Sequence, residues 1–175
     1  MNTLTNTRRT LPSRRIGLLL VALTAALLVA FVLALMVTQK AAQAKEKFTR
    51  TVSSIQGLPG YQTGIFIHEG DRVRITASGT VDLNTNHPTL VTPDGIGNSS
   101  AGTNFVLSGA HTGALLGSIG AFSETNGGFV IGREKSISSA PESGELYLIV
   151  NDCLSCFGDN DGNFTAHIKV KPSHK

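Results

Sequence analysis

The chain has 175 residues, with 15 Lys+Arg, 12 Asp+Glu, 19 Gly, 2 Cys and no Trp. That length holds one ordinary domain plus an appendage, and 41% apolar against 15% charged residues rules out a disordered polyelectrolyte. The formal charge of +3 hides a split: residues 1–47 carry seven basic and one acidic residue, residues 48–175 eight basic and eleven acidic. The folded part is therefore mildly acidic, and no nucleic-acid partner is expected.

The first predicted element is residues 16–37, IGLLLVALTAALLVAFVLALMV, an uncharged run with Thr24 as its one polar side chain. As a helix it reaches roughly 33 Å, enough to cross a bilayer's hydrocarbon core. Arg8, Arg9, Arg14 and Arg15 precede it, so residues 1–15 read as a cytoplasmic basic segment with the N-terminus inside. Everything after the span would then lie outside the cytoplasm. Ala42-Gln43-Ala44 fits a signal-peptidase site, but the apolar run is longer than a cleavable signal usually has. The reading is a retained membrane anchor; cleavage after Ala44 would instead give a secreted domain. Residues 38–47 read as a linker.

From residue 48 on the texture changes. Eighteen of the 19 glycines lie there, and short alternating runs replace the apolar block. Thr63–His68 precedes the turn Glu69-Gly70-Asp71. Arg72–Ala77 sets Val73 and Ile75 against Arg72, Arg74 and Thr76, and Gly79–Leu83 continues it. Ala114–Ile119, Gly128–Gly132, Ser136–Ser139, Glu145–Asn151 and Asn163–Lys171 follow. The last alternates Phe164, Ala166, Ile168 and Val170 with Thr165, His167, Lys169 and Lys171. Eight or nine short strands divided by Gly, Asn and Ser turns predict an all-β fold, a two-sheet β-sandwich or jelly roll. Residues 84–113 break the rhythm as a long loop rich in Gly, Ser, Thr and Asn, and loops of that length are functional or disordered.

The segment richest in chemistry is Leu148–Phe164, LIVNDCLSCFGDNDGNF. A strand ends at Asn151-Asp152, and Asp159-Asn160-Asp161-Gly162 follows seven residues later. Hard cations such as Ca²⁺ take six to eight oxygens from carboxylates, amides and carbonyls, and this loop offers several of each. It is not an EF-hand: the D-x-D-x-D-G spacing and the closing Glu are missing. Taken alone, Asp-Asn-Asp-Gly is also an ordinary turn sequence. Cys153-x-x-Cys156 could be a redox pair, a zinc half-site or a local disulfide. There is no second CxxC and no strand-to-helix context, so outside the cytoplasm the disulfide is favoured. The five histidines show no metal-ligand spacing, and His111 is the one that borders the long loop. No nucleophile elbow or phosphate-binding glycine loop occurs, so no enzyme is expected.

Three blocks carry a resemblance to a known family. They are Tyr61–Gly79 (YQTGIFIHEGDRVRITASG), Gly113–Gly120 (GALLGSIG) and Ser143–Ile168 (SGELYLIVNDCLSCFGDNDGNFTAHI). Together they resemble the calcium-dependent galactose-binding lectin family typified by the PA-I galactophilic lectin, over about residues 49–171. The resemblance implies a β-sandwich with a Ca²⁺ site. Its ligands would be Asp152, Asp159 and Asn160 through their side chains, and Leu83 and Cys156 through their backbone oxygens. It also implies a sugar whose two vicinal hydroxyls reach the ion, touching Asp152, Cys153 and Asp159. The family's His-Pro-x-Gln specificity segment is not completed here, since His87-Pro88 continues as Thr89-Leu90. A galactose-like ligand is therefore one of several vicinal-diol glycans in view. Asp159 replaces an amide of the family pattern and adds a negative charge. The alternative is a non-catalytic structural or interaction domain of the cell envelope, with calcium structural or absent. Association into homo-oligomers is left open.

Overall fold

The computed structural model describes residues 45–173, and besides them Leu27, Leu28 and Phe31, which are helical. The rest of the predicted membrane span, residues 16–37, and most of the predicted linker lie outside the described residues. Among the described residues no helix is long and apolar enough to cross a membrane.

Among the described residues nine strands follow one another: β1 (Glu46–Ser53), β2 (Tyr61–Ile67), β3 (Arg72–Asp82), β4 (Leu90–Val91), β5 (Leu115–Ile119), β6 (Phe129–Val130), β7 (Glu134–Ile137), β8 (Gly144–Val150) and β9 (Asp161–Lys171). They form two antiparallel sheets. One runs β1-β9-β3-β4, with β7 also pairing β3; the other runs β2-β8-β5-β6. This is the all-β two-sheet sandwich that the alternating runs predict.

The alternation explains which faces meet. On β9, Phe164, Ala166, Ile168 and Val170 are buried, and on β3 Val73, Ile75, Ala77 and Val81 are. Facing them from the second sheet stand Ile65 and Ile67 of β2, Leu146, Leu148 and Val150 of β8, and Leu115 of β5. Period-two patterning turns alternate side chains to opposite faces, so these residues form the interlayer core.

Strand β5 does not alternate; all five of its residues are buried. The reason lies in the long loop. Val106 from that loop packs with Leu116, Phe122, Ile149 and Phe157, and Leu107 and Ala110 pack against this cluster. The second sheet is thus covered on both faces, and a strand buried on both faces reads as continuous apolar sequence. The stretch 84–113 is a folded cover rather than a disordered insertion, and it contains β4.

The first strand is not legible as an alternating pattern, and it begins at Glu46, within the stretch that reads as linker. Only Val52 of β1 is fully buried. Pairing defines it instead: Glu46 to Ser53 run against Val170 to Asn163. β3 lies on the other side of β9, with Arg72 opposite Lys171 and Asp82 opposite Asp161. The three long strands therefore span the sandwich from end to end. Lys45 and Lys171 mark one end, and Ser53, Asp82 and Asp161 the other.

Candidate functional site

The far end of those strands holds the predicted acidic loop. Strand β8 delivers Asn151 and Asp152 there. Asn151 is fully buried, and its side chain is spent on the long loop. Its Nδ2 donates to the carbonyls of Leu107 and His111, each at 3.1 Å, and its Oδ1 accepts from the Leu107 amide at 3.0 Å. All three bonds are internal, so Asn151 is a clamp and not a ligand.

Asp152 is 5% exposed. Its Oδ1 accepts from the Cys153 amide at 2.7 Å, and its Oδ2 accepts from Asn160 Nδ2 at 2.9 Å. Asn160 Nδ2 also donates to the Ser54 carbonyl at 3.1 Å. Two acceptors on one amide atom identify it as the nitrogen, which fixes the orientation of the carboxamide. Its oxygen therefore turns away from Asp152. That oxygen, Asn160 Oδ1, and its neighbour Asp159 Oδ1 are buried side-chain atoms without a hydrogen-bond donor. Buried acceptors are normally satisfied, because desolvating them without a partner costs roughly 1–3 kcal/mol each. A cation that prefers oxygen fits such a pair.

The backbone around the site is equally specific. Phe157–Asp159 is a short 3₁₀ turn, and the Asp159 carbonyl accepts from the Thr85 amide at 2.9 Å. This ties the acidic loop to the chain just beyond Leu83. The Leu83 amide donates to the Thr89 carbonyl at 3.1 Å. In an antiparallel pair the return bond would run from the Thr89 amide to the Leu83 carbonyl. Here the Thr89 amide donates to Asp82 Oδ1 at 2.7 Å instead, and among the described residues no hydrogen bond reaches the Leu83 oxygen. Among the described residues the Cys156 carbonyl takes only the long 3.4 Å contact from the Asp159 amide.

Cys153 and Cys156 are joined by a disulfide. Their sulfurs lie near Asp152, with ligand atoms of the three residues within 4.8 Å of one another. A disulfide offers no thiolate, so this cluster is not a zinc site. The bridge closes the turn that carries the Cys156 carbonyl.

Several residues at the site give no signal in the sequence. Ser54, between β1 and β2, receives Asn160 and is itself held by Gly162, whose carbonyl accepts both the Ser54 amide and its hydroxyl at 3.1 and 3.0 Å. Asn104 to Val106 of the long loop lie alongside Asp152 to Leu154. The Leu154 amide donates to the Asn104 carbonyl at 2.9 Å, and the Val106 amide donates to the Asp152 carbonyl at 3.2 Å. Loop length alone points to this segment; nothing in its composition does. Gly162 sits at φ +85°, where an added Cβ would lie 2.9 Å from the Thr80 carbonyl, so only glycine starts β9 this close to β3. His87 is exposed in the turn after Leu83, and exposed His111 has its Nδ1 3.1 Å from the Asp94 carbonyl.

Against known proteins, the family model described as PA-IL-like protein matches residues 50–173. Lectin A of Photorhabdus laumondii subsp. laumondii is 27% identical over 113 residues, which is 64% of this chain and 83% of that protein. The solved structure of the EclA N-terminal domain, a PllA-like lectin, superposes with a TM-score of 0.55 at 21% identity. It covers 71% of this chain and 96% of that one, a likeness of fold.

Proposed function

The chain belongs to the PA-IL-like protein family, and from that membership we propose that its β domain is a calcium-dependent carbohydrate-binding module displayed outside the cytoplasmic membrane. The relative named Lectin A supports a carbohydrate ligand. The observation that carries the calcium reading is the pair of buried, donorless oxygens on Asp159 and Asn160.

In this reading Asp152, Asp159 and Asn160 hold the ion with their side chains, and the carbonyls of Leu83 and Cys156 complete the set. Calcium held there would supply a hard cation able to take neutral hydroxyl oxygens as further ligands. The protein does the rest. Asp152 is fixed by Asn160 and by the Cys153 amide, so its remaining lone pairs are aimed before a sugar arrives. Asp152 and Asp159 accept hydrogen bonds from the sugar hydroxyls. The turn at Asn84–Thr89, bonded to the acidic loop through the Thr85 amide, and the segment Asn104–Val106, paired with Asp152–Leu154, border that loop, and they are the parts that would distinguish one vicinal diol from another. The extra charge of Asp159 strengthens the hold on a divalent cation. Residues 16–37 would anchor the module with the N-terminus inside, or cleavage after Ala44 would release it.

A second reading is favoured by one observation. Both carboxylate oxygens of Asp152 already accept protein donors, as in a loop that is complete without a ligand. The domain would then be a structural or interaction module. A glycan array probed with calcium and again with EDTA separates the two. Binding that needs calcium and disappears in Asp152→Asn supports the lectin; a calcium-independent or blank array with an intact fold supports the second reading.

A further inference from the structure

The end of the sandwich opposite the acidic loop carries an unexplained concentration of positive charge. Lys47 of β1, Lys169 of β9 and Arg74 of β3 are directly paired across three neighbouring strands. One step further along, Arg72 faces Lys171. Directly paired residues share a sheet face, so these side chains project together on the outer face. Lys45 joins them: a surface groove is lined by Lys45, Arg72, Arg74, Lys169 and Lys171, with serine hydroxyls beside them. All but Lys169 are exposed.

Like charges directly opposite on a sheet repel and destabilise it. Within the domain, Arg74 meets Glu134 at 2.8 Å. Among the described residues the other five cations form no ion pair. This holds although residues 48–175 contain more acidic than basic side chains. The array is broad and flat, spread over several strands at roughly 4.8 Å spacing. It therefore matches many phosphates spread over a surface better than it matches one enclosed phosphate.

The chain itself indicates which surface. Lys45 itself lies in the patch. Seven residues separate Lys45 from the uncharged apolar run 16–37, and that much chain spans at most about 25 Å. We propose that Lys45, Lys47, Arg72, Arg74, Lys169 and Lys171 dock the domain on an anionic phospholipid surface. Docking through this patch leaves the acidic loop clear of the contact, because β9 separates Lys169 from Asp161 by roughly 27 Å along the sheet. Each basic side chain close to an anionic bilayer strengthens attachment about fivefold at moderate salt.

The test uses the full chain in nanodiscs of phosphatidylcholine alone or mixed with phosphatidylglycerol. A donor fluorophore is placed at Ser136→Cys, beside the patch, or at Val130→Cys on the second sheet, with an acceptor on the lipid headgroups. Phosphatidylglycerol should raise transfer from position 136 above that from position 130. High salt should abolish the rise, and so should the triple variant Arg72→Glu/Lys169→Glu/Lys171→Glu. A circular-dichroism melt of that variant shows that the fold survives; if it does not, the same experiment on Lys47→Ser/Lys169→Ser decides. Equal transfer in both lipids overturns the proposal, as does a rise that survives charge reversal. Selective displacement by millimolar inorganic phosphate, where chloride of equal ionic strength has no effect, would assign a discrete phosphate site and overturn the surface reading.

Discussion

At one end of β1, β3 and β9 stand Lys45, Lys47, Arg72, Arg74, Lys169 and Lys171; at the other stand Asp82, Asp152, Asp159 and Asp161. The same three strands run between them, so the contrast is one of setting as well as sign. The cations are mostly exposed on long side chains, where water and salt screen their repulsion. Asp152 and Asn160 are buried; Asp152 accepts from the Cys153 amide and from Asn160 Nδ2, while Asn160 Oδ1 and Asp159 Oδ1 have no donor. Screening cannot reach buried groups to the same degree. In the calcium reading the acidic end suits a single concentrated charge, and the cationic end tolerates a diffuse one.

Substitutions at the two ends sharpen this contrast, beginning with the shared scaffold. Phe164→Ala removes the largest fully buried side chain of the core at the acidic end of β9, and should cost about 3–5 kcal/mol in urea unfolding. Asn151→Ala deprives the Leu107 amide and the Leu107 and His111 carbonyls of their partner. A loss of about 3 kcal/mol is expected, with amide exchange accelerated across residues 101–112 and unchanged at Lys169. An unaltered exchange pattern would show that the long loop is held by something else.

Calcium should act at one end alone. At a hundredfold excess over its Kd it should stabilise the domain by about 2.7 kcal/mol, read as a higher melting midpoint that EDTA reverses. Asp152→Asn should lose that shift, while charge changes at Arg72 or Lys171 should leave it intact. Opening the Cys153–Cys156 bridge with Cys153→Ser/Cys156→Ser should cost about 2 kcal/mol or less, because the loop it closes is so short. The larger consequence should be weaker calcium binding, measured by calorimetry, if the bridge positions the Cys156 carbonyl. The smallest effect has the opposite sign. Lys169→Thr should stabilise the domain by about 0.3 kcal/mol at low salt and by nothing at high salt, since it relieves exposed like-charge pairing.

The sequence made much of the sandwich legible. In β9, and in β3 as far as Ala77, the alternation is regular, and each odd or even set went to the face its polarity required. Strand β5 could be placed but not explained, since its sequence LLGSI cannot show what covers its second face. Strand β1 was hidden for the converse reason: it is an edge strand with few buried side chains, defined by its partner rather than by its pattern. The acidic loop shows the same division. Asp152, Asp159 and Asn160 stand out by type and spacing. Ser54, Thr85 and Asn104–Val106 reach the site from distant parts of the chain, through backbone groups that every residue possesses.

By itself, then, the sequence determined the class of fold, the place of the oxygen-rich loop and the excess of basic charge before residue 48, because each is written in local composition and period. Tertiary structure alone decided that Asn160 turns its amide nitrogen to Asp152 and Ser54, leaving its own oxygen donorless, that Asp159 Oδ1 is likewise buried without a donor, and that Asp82 leaves the Leu83 carbonyl open. It also decided that cations from three separate strands stand in one row. Those outcomes depend on register, and register is settled by which strands pair and by how far each slides along its neighbour.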